Sequence, residues 1–573
     1  MRAWRYFACA VSLGHAFALI NPILPGWNPD PSIVRVGDDY FIATSTFEYF
    51  PGHPIYHSKN LVDWSLVGHA LNRPSQLTLL GTPSDAGVWA PGLRYHNGTF
   101  YLTSTTRYVY TSELRLFPRS FYVSTQDIIS NDWSDPVYFD FLGYDADLFW
   151  DVNDDVYVTW SGINNAIDKI YGIYQSKIDL ETGDSLTPAE KIFAGTLPNN
   201  SSARPEGPHV YLINGTYYLL IAEGAHNYQQ FVSAKKAFLG GTDVHHRSTI
   251  QRGPSPSGPW ENNPANPILF NGANLSLPDQ DTGHADIVEA PDGSWWGVAL
   301  GVRPQQSNFS HIQLGRETFL FPVTWESGWP VFNHDEALSE HIEGVLEDTS
   351  HLSDYFNDFD DSSLDNTFYF LRTPYKAFHS LAANPGYLRL KGNSYAVGDR
   401  DNPALLLRKQ ASYEETFETR IDDFSPTTNL TEAGATIFYG DFLHNDIGIT
   451  GDPSGSGERF IVTRTIVQAT QIGPWSLTSD NNTIKTVDYI PLQTISDPIK
   501  LVIQGNSTGY KLGFAEGDGP VTFTADVDSA ALSIAPAGGF FFKGASFGIY
   551  NTGNGMPTLV PADFAYWKQT PVT

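Results

Sequence analysis

One hairpin pattern, repeated five times between Asp30 and Trp295, restricts this chain more than any other feature. Its clearest copy runs from Arg204 to Glu223. A Pro-bounded turn holds Glu206, a short strand follows from His209 to Ile213, then the turn Asn214-Gly215 and a second apolar strand from Tyr217 to Ala222. Asn-Gly between two apolar runs is a strong hairpin signal, because both residues accept the positive φ that tight turns need. The other turns are Gly37-Asp38-Asp39, Asn97-Gly98, Asn153-Asp154-Asp155 and Asp292-Gly293. Aromatic residues open the second strands: Tyr40, Phe100, Tyr157, Tyr217 and Trp295, at intervals of 60, 57, 60 and 78 residues. A self-similar unit of this size, built of strands and without sustained helical periodicity, predicts a propeller of antiparallel blades.

Asp30 lies 10 residues before Tyr40, Trp89 lies 11 before Phe100 and Asp145 lies 12 before Tyr157; Glu206 and His284 each lie 11 before Tyr217 and Trp295. If the first strand of each hairpin is the innermost of its blade, these five residues sit at equivalent strand ends around the axis. Three carboxylates, a His and a Trp then converge on one pocket. Any one of them alone reads most simply as a turn residue, as Asp30 does between Pro29 and Pro31. The common offset across five repeats reverses that reading.

A chain of 573 residues is too long for one core. Residues 1–18 carry Arg2 and Arg5, an apolar stretch and Ala16-Phe17-Ala18, the pattern of a secretory signal peptide cut near Ala18. Residues 19–340 form the expected propeller, and residues 341–573 lose the blade repeat. Strand-like runs there include Leu405–Lys409, Thr416–Ile421, Ala435–Tyr439, Arg459–Arg464 and Phe540–Tyr550, which predict a β-sandwich. The fold class is therefore all-β, a five-bladed propeller followed by a C-terminal sandwich. The only cysteine, Cys9, lies in the leader, so the mature chain is expected to lack disulfides and thiol chemistry. Sequons such as Asn97-Gly-Thr, Asn214-Gly-Thr and Asn308-Phe-Ser fit secretion and glycosylation.

The formal charge of −29 excludes nucleic acid and anionic surfaces as partners, and no later segment is apolar enough to span a membrane. An aromatic fraction of 14% suits stacking on neutral sugars, although many of these rings must also fill cores. Two carboxyl groups across a sugar pocket are the usual requirement for glycoside hydrolysis, one protonated and one ionised. Glu206 follows Arg204 and Pro205, Asp30 sits in a polar turn, and Asp145 could raise the acid by like-charge repulsion. Asp147, two residues on and on the same strand face, is a rival for that role.

Asn28-Pro-Asp-Pro-Ser-Ile33, Ala43-Thr-Ser-Thr-Phe-Glu-Tyr-Phe-Pro51, Val88-Trp-Ala-Pro91, Tyr144-Asp-Ala146, Glu206 before Pro-His, Gly283-His-Ala285 and Leu314-Gly-Arg-Glu-Thr318 together resemble glycoside hydrolase family 43, in its β-xylosidase and α-L-arabinofuranosidase branch. Gly538-Gly-Phe-Phe-Phe-Lys-Gly544 resembles a stretch of that branch's second domain. The resemblance implies Asp30 as general base, Glu206 as general acid and Asp145 as the pKa-modulating carboxylate. It implies that Arg316 contacts substrate hydroxyls and the modulating carboxylate, that Phe47, Trp89 and Tyr144 shape the pocket, that His284 lies near the axis, and that Phe542 closes part of the mouth. No cofactor is required on this reading, although some family members bind calcium near the axial His, here His284. Three departures stand out: Tyr144 where Phe is common, Arg-Pro-Glu-Gly-Pro around Glu206, and Asp147 where a small residue is usual.

The implied activity is a secreted, inverting exo-glycosidase that releases terminal β-D-xylose or α-L-arabinofuranose from neutral plant-derived oligosaccharides. An arabinan- or galactan-directed hydrolase and a carbohydrate-binding protein without catalysis are the alternatives. The oligomeric state is left open.

Overall fold

The computed structural model describes residues 18–109, 115–163, 171–197, 203–224, 245–305, 311–343, 346, 352–455, 458–469, 483–494, 496–532 and 542–572. The proposed leader up to Phe17, with Cys9, and the sequon at Asn308 lie outside these residues.

Five four-stranded antiparallel sheets form the blades, four of them from consecutive strands and the first with the short strand Tyr49–Phe50 passed over. The innermost strands are Ser32–Val36, Gly87–His96, Gly143–Trp150, Glu206–Ile213 and Gln280–Glu289, and each lies against its neighbours around a ring. Each is the first strand of its hairpin, as the repeat predicts. The Asn-Gly turns adopt the left-handed backbone expected of them, with φ of 47° and 84° at Asn97 and Gly98 and 50° and 79° at Asn214 and Gly215.

Among the described residues, no blade is completed by a strand from the other end of the propeller. The ring closes instead through a ribbon that pairs Ala18–Ile20 with His341–Glu343. Buried Asn21 reinforces it: its Nδ2 donates to Leu320 O (2.9 Å) and Ser339 O (3.1 Å), and its Oδ1 accepts from Leu320 N (2.8 Å). The chain thus leaves the propeller only after Glu343.

The second half forms two eight-stranded sheets packed face to face. Their inner faces bury a large apolar core that includes Leu388, Leu406, Phe417, Ile447, Phe547 and Trp567. One of these sheets takes its edge strand from the propeller: Tyr49–Phe50 pairs with Tyr369–Leu371. A second apolar cluster spans the two domains, joining Trp27, Phe47 and Tyr49 to Tyr369, Leu405, Leu407, Phe438 and Tyr550. The strand expected at Phe540–Tyr550 begins only at Ser546, because residues 542–545 leave the sheet and dock on the propeller; Ala545 N donates to Gln313 O at 2.7 Å. Residues 540 and 541 lie outside the described set. Among the described residues, no helix is long and apolar enough to cross a membrane.

Candidate active site

The inner strands share a second, less visible repeat. Four of them carry a one-residue bulge at the same register, between Trp89 and Gly92, Tyr144 and Asp147, Glu206 and His209, and Gly283 and Asp286. A bulge interrupts the two-residue alternation of side chains and re-aims the residues within it. This corrects the equal-offset expectation. Asp30, Asp145 and His284 share one level, two residues before Ser32, Asp147 and Asp286 in the aligned ladders, and Ala90 and Gly207 occupy the same level. Trp89 and Glu206 stand one residue earlier. The offset from the aromatic residue varies because the hairpin turns differ in length, so equal counts did not mean equal positions.

The level of Asp30 is conformationally distinctive. Asp30, Asp145, Gly207 and His284 have φ of 56°, 52°, 55° and 50°. Gly207 is required twice over: besides its φ, a Cβ there would lie 2.7 Å from His284 Nε2.

Asp30 is almost fully buried. Arg316 Nη1 donates to its Oδ1 at 2.9 Å, and Ser45 Oγ donates to its Oδ2 at 2.6 Å. Burial alone would raise its pKa, but Arg316, with the nearby imidazoles and the Ser45 hydroxyl, outweighs burial and holds it below the ordinary carboxylate range. His284 Nδ1 lies 3.7 Å from Asp30 Oδ1. Burial lowers the His284 pKa to about 4, so at neutral pH this contact joins a carboxylate to a neutral imidazole and Arg316 supplies the positive charge.

Glu206 and Asp145 behave oppositely. Burial pushes Glu206 up to about 7; Arg204 opposes the rise and the Asp30 charge adds to it. Burial, with the charges of Glu206 and Asp30, raises Asp145 as well. Two carboxyls coupled in this way cannot readily ionise together, so they titrate as a pair. Each accepts one hydrogen bond that favours its ionised form, Asp145 Oδ2 from the Gly207 N–H at 3.1 Å and Glu206 Oε2 from Tyr144 OH at 3.4 Å, and burial outweighs both.

Aromatic rings wall the site. Phe542 stacks on Phe47 with centroids 5.9 Å apart and meets Trp89 edge-on at 5.7 Å; Trp89 meets Tyr144 edge-on at 5.8 Å. The sandwich therefore supplies one wall through Phe542. The Arg316 guanidinium lies 5.1 Å from the Phe542 ring centroid, and its Nε donates to Phe542 O at 2.8 Å. Arg316 was expected to contact substrate hydroxyls and Asp145; among the described contacts it donates to Asp30 and Phe542, and its charge acts on Asp145.

Asp147 is not a rival for the modulating role. Arg94 Nη2 donates to its Oδ2 at 2.6 Å, and His209 Nδ1 lies 2.8 Å from the same oxygen. Arg94 Nη1 also donates to Asp286 Oδ2 at 2.8 Å, as does Ser32 Oγ at the same distance. Ser32, Arg94, Asp147, His209 and Asp286 come one from each inner strand, so this network joins all five blades at the axis.

Calcium takes six to eight oxygen ligands. Among the described residues no group of three or more His, Cys, Asp and Glu side chains is disposed to hold a metal. His284 faces Asp30 and Gly207, so the described residues around it do not form a calcium cage, and no chemical step is assigned to one.

Comparison with known proteins agrees with this geometry. Residues 19–330 match the family model for glycosyl hydrolases family 43, and residues 357–570 match that for a beta-xylosidase C-terminal concanavalin A-like domain. The chain belongs to glycoside hydrolase family 43. It is 36% identical to a non-reducing-end α-L-arabinofuranosidase of Bacteroides ovatus, covering 96% of this chain and 94% of that one. It is 32% identical to a β-xylosidase of Bacillus subtilis, covering 96% and 99%. A solved xylan β-1,4-xylosidase of Bacillus halodurans superposes with a TM-score of 0.83 at 30% identity, covering 96% and 100%. The chain is thus a glycoside hydrolase with a five-bladed propeller and a concanavalin-like sandwich.

Sequence reasoning missed Ser45, Glu48, Asp85 and Lys543 as parts of the site. Lys543 carried the one usable signal, a charge directly after three phenylalanines.

Proposed function

We propose that this hydrolase removes a single terminal pentose, β-D-xylose or α-L-arabinofuranose, from plant-derived oligosaccharides with inversion at the anomeric carbon. Asp30 is the general base: it is ionised under Arg316 and draws a proton from the attacking water. Glu206 is the general acid and gives its proton to the departing oxygen. Asp145 is the modulating carboxyl: it titrates as a pair with Glu206, so that ionisation of one keeps the proton on the other, and the Gly207 N–H fixes its orientation. Phe47, Trp89, Tyr144 and Phe542 enclose the sugar, and the Phe542 wall suits a chain end better than a chain interior. The observation that carries this reading is the opposed state of two buried carboxyls in one walled pocket, Asp30 lowered by Arg316 and Glu206 raised by burial. The names of the arabinofuranosidase and xylosidase relatives support the pentose assignment.

Parallel assays on aryl β-D-xyloside and aryl α-L-arabinofuranoside, with the first-formed anomer read by NMR, test the proposal. Release of the inverted anomer from at least one is expected. Retention, or activity only on internal bonds, would refute it. An inverting enzyme also needs carboxyl groups about 6.5–9.5 Å apart in its sugar complex, to leave room for water.

A further inference from the structure

We propose that Lys543 is a positioning residue of the hydrolytic site, clamped by the propeller so that the Phe542 carbonyl holds the Arg316 guanidinium on Asp30. The inference rests on the role assigned to Asp30 above.

Lys543 belongs to the short segment that leaves the sandwich sheet ahead of Ser546. Its side chain is fully buried, with Nζ 2.6 Å from Glu48 Oε1 and 3.1 Å from Asp85 Oδ2. The other oxygen of Asp85 accepts the Phe542 N–H at 2.6 Å, and the Asp85 N–H donates to Glu48 Oε2 at 2.9 Å. Asp85 therefore holds two consecutive residues of the sandwich with two different oxygens, which stops its carboxylate from rotating. That sets the height of the Phe542 peptide, whose carbonyl accepts Arg316 Nε at 2.8 Å. The same guanidinium then reaches Asp30 at 2.9 Å. From behind, Tyr439 OH donates to Lys543 O at 2.9 Å.

The segment is pressed against the strand entry that carries Arg316. A Cβ on Gly315, at φ +73°, would lie 2.5 Å from the Lys543 carbonyl carbon, and one on Gly544 would lie 2.3 Å from Leu314 O. Burying an ammonium with two carboxylates is a poor route to stability, since an apolar chain of similar length fills the space without desolvating three charges. The ionic clamp is better explained by the geometry it enforces.

Asp30 is faced by Arg316, His284, His246, His53 and Ser45, and by the carboxyls of Asp145 and Glu206. Of these, Arg316 is the permanent cation bonded to it. Loosening Arg316 should therefore raise the Asp30 pKa and move the acid limb of the pH–rate profile upward.

The test uses the full chain, an aryl pentoside, and two variants. Lys543→Met removes the ammonium. Lys543→Met/Glu48→Gln removes one charge of each sign, leaves the net charge of the cluster unchanged, and guards against a single variant that fails to fold. Thermal unfolding identifies the folded variants. For these, kcat is expected to fall between about tenfold and about a hundredfold, the cost of an ångström-scale misplacement. The acid limb is expected to move up by about one pH unit, a fraction of the effect of an adjacent cation. A purely structural lysine would lower the melting temperature and leave that limb in place. A folded double variant with wild-type kcat and limb overturns the inference alone. A wild-type enzyme inactive on every pentoside overturns the proposed function and the inference together.

Discussion

Gly207→Ala probes the bulge level most directly. The new Cβ would meet His284 Nε2, Cε1 and Cδ2 at 2.7, 2.9 and 3.0 Å. Favourable carbon contacts begin near about 3.5 Å, so the imidazole must retreat by about 0.5–0.8 Å. It has little room, being buried and 3.7 Å from Asp30. Overpacking of this kind costs about 1–3 kcal/mol, and a left-handed non-glycine residue adds about 1–2 kcal/mol. The expected loss of stability is thus about 2–5 kcal/mol. Gly207 N–H also bonds Asp145, so the same shift disturbs the coupled carboxyls, and kcat/KM should fall by about a hundredfold. Gly215→Ala is the matched control: its φ of 79° is also left-handed, yet nothing lies within 4 Å of its Cβ. It should lose only the conformational increment and keep kcat/KM. Denaturant unfolding and steady-state assays of the two variants decide the matter. Equal losses of stability and activity in both would refute the steric account of the bulge level.

Further outcomes follow from the same contacts. Glu206→Gln should lower kcat by about 10²–10⁴-fold. Burial holds Glu206 protonated up to about 7, so wild-type activity should fall as pH rises through that value and the limb should vanish in the variant. Asp147→Asn removes one of the two carboxylates on buried Arg94, leaving Asp286 to compensate it, and should cost about 1–3 kcal/mol of stability while the surviving activity keeps the wild-type pH profile; a shifted profile would return Asp147 to the catalytic group. Asn21→Ala leaves three seam backbone groups without their partner at about 1–3 kcal/mol each. Its melting temperature should therefore fall sharply, and an unchanged value would show that the ribbon alone closes the ring.

The five blades were legible because tight hairpins need particular residues, and Asn-Gly at 97–98 and 214–215 declares them locally. The register around the pocket was not. A one-residue bulge leaves no compositional trace, so Trp89 and Glu206 counted as equivalents of Asp145 and His284 until the ladders were aligned. In the sandwich, Leu405–Lys409 was readable from its apolar run, whereas the strands Leu443–Gly451 and Thr522–Asp528 were missed. The first carries Asn445, Asp446 and Gly448, residues poor in intrinsic strand preference, and holds its place through neighbours on both sides. The role of Asp147 was invisible for a related reason: its partner Arg94 is 53 residues away, and no local pattern announces a contact across two blades.

The dependence between the two halves runs in both directions. Without the sandwich, the hydrolytic pocket loses the ring of Phe542 and the anchor of Arg316. Without the propeller, Tyr369–Leu371 becomes a bare sheet border with no Tyr49–Phe50 to cap it, and such borders recruit foreign strands. Excising either half as a portable module should therefore yield a sticky fragment from one end of the gene and a sluggish one from the other.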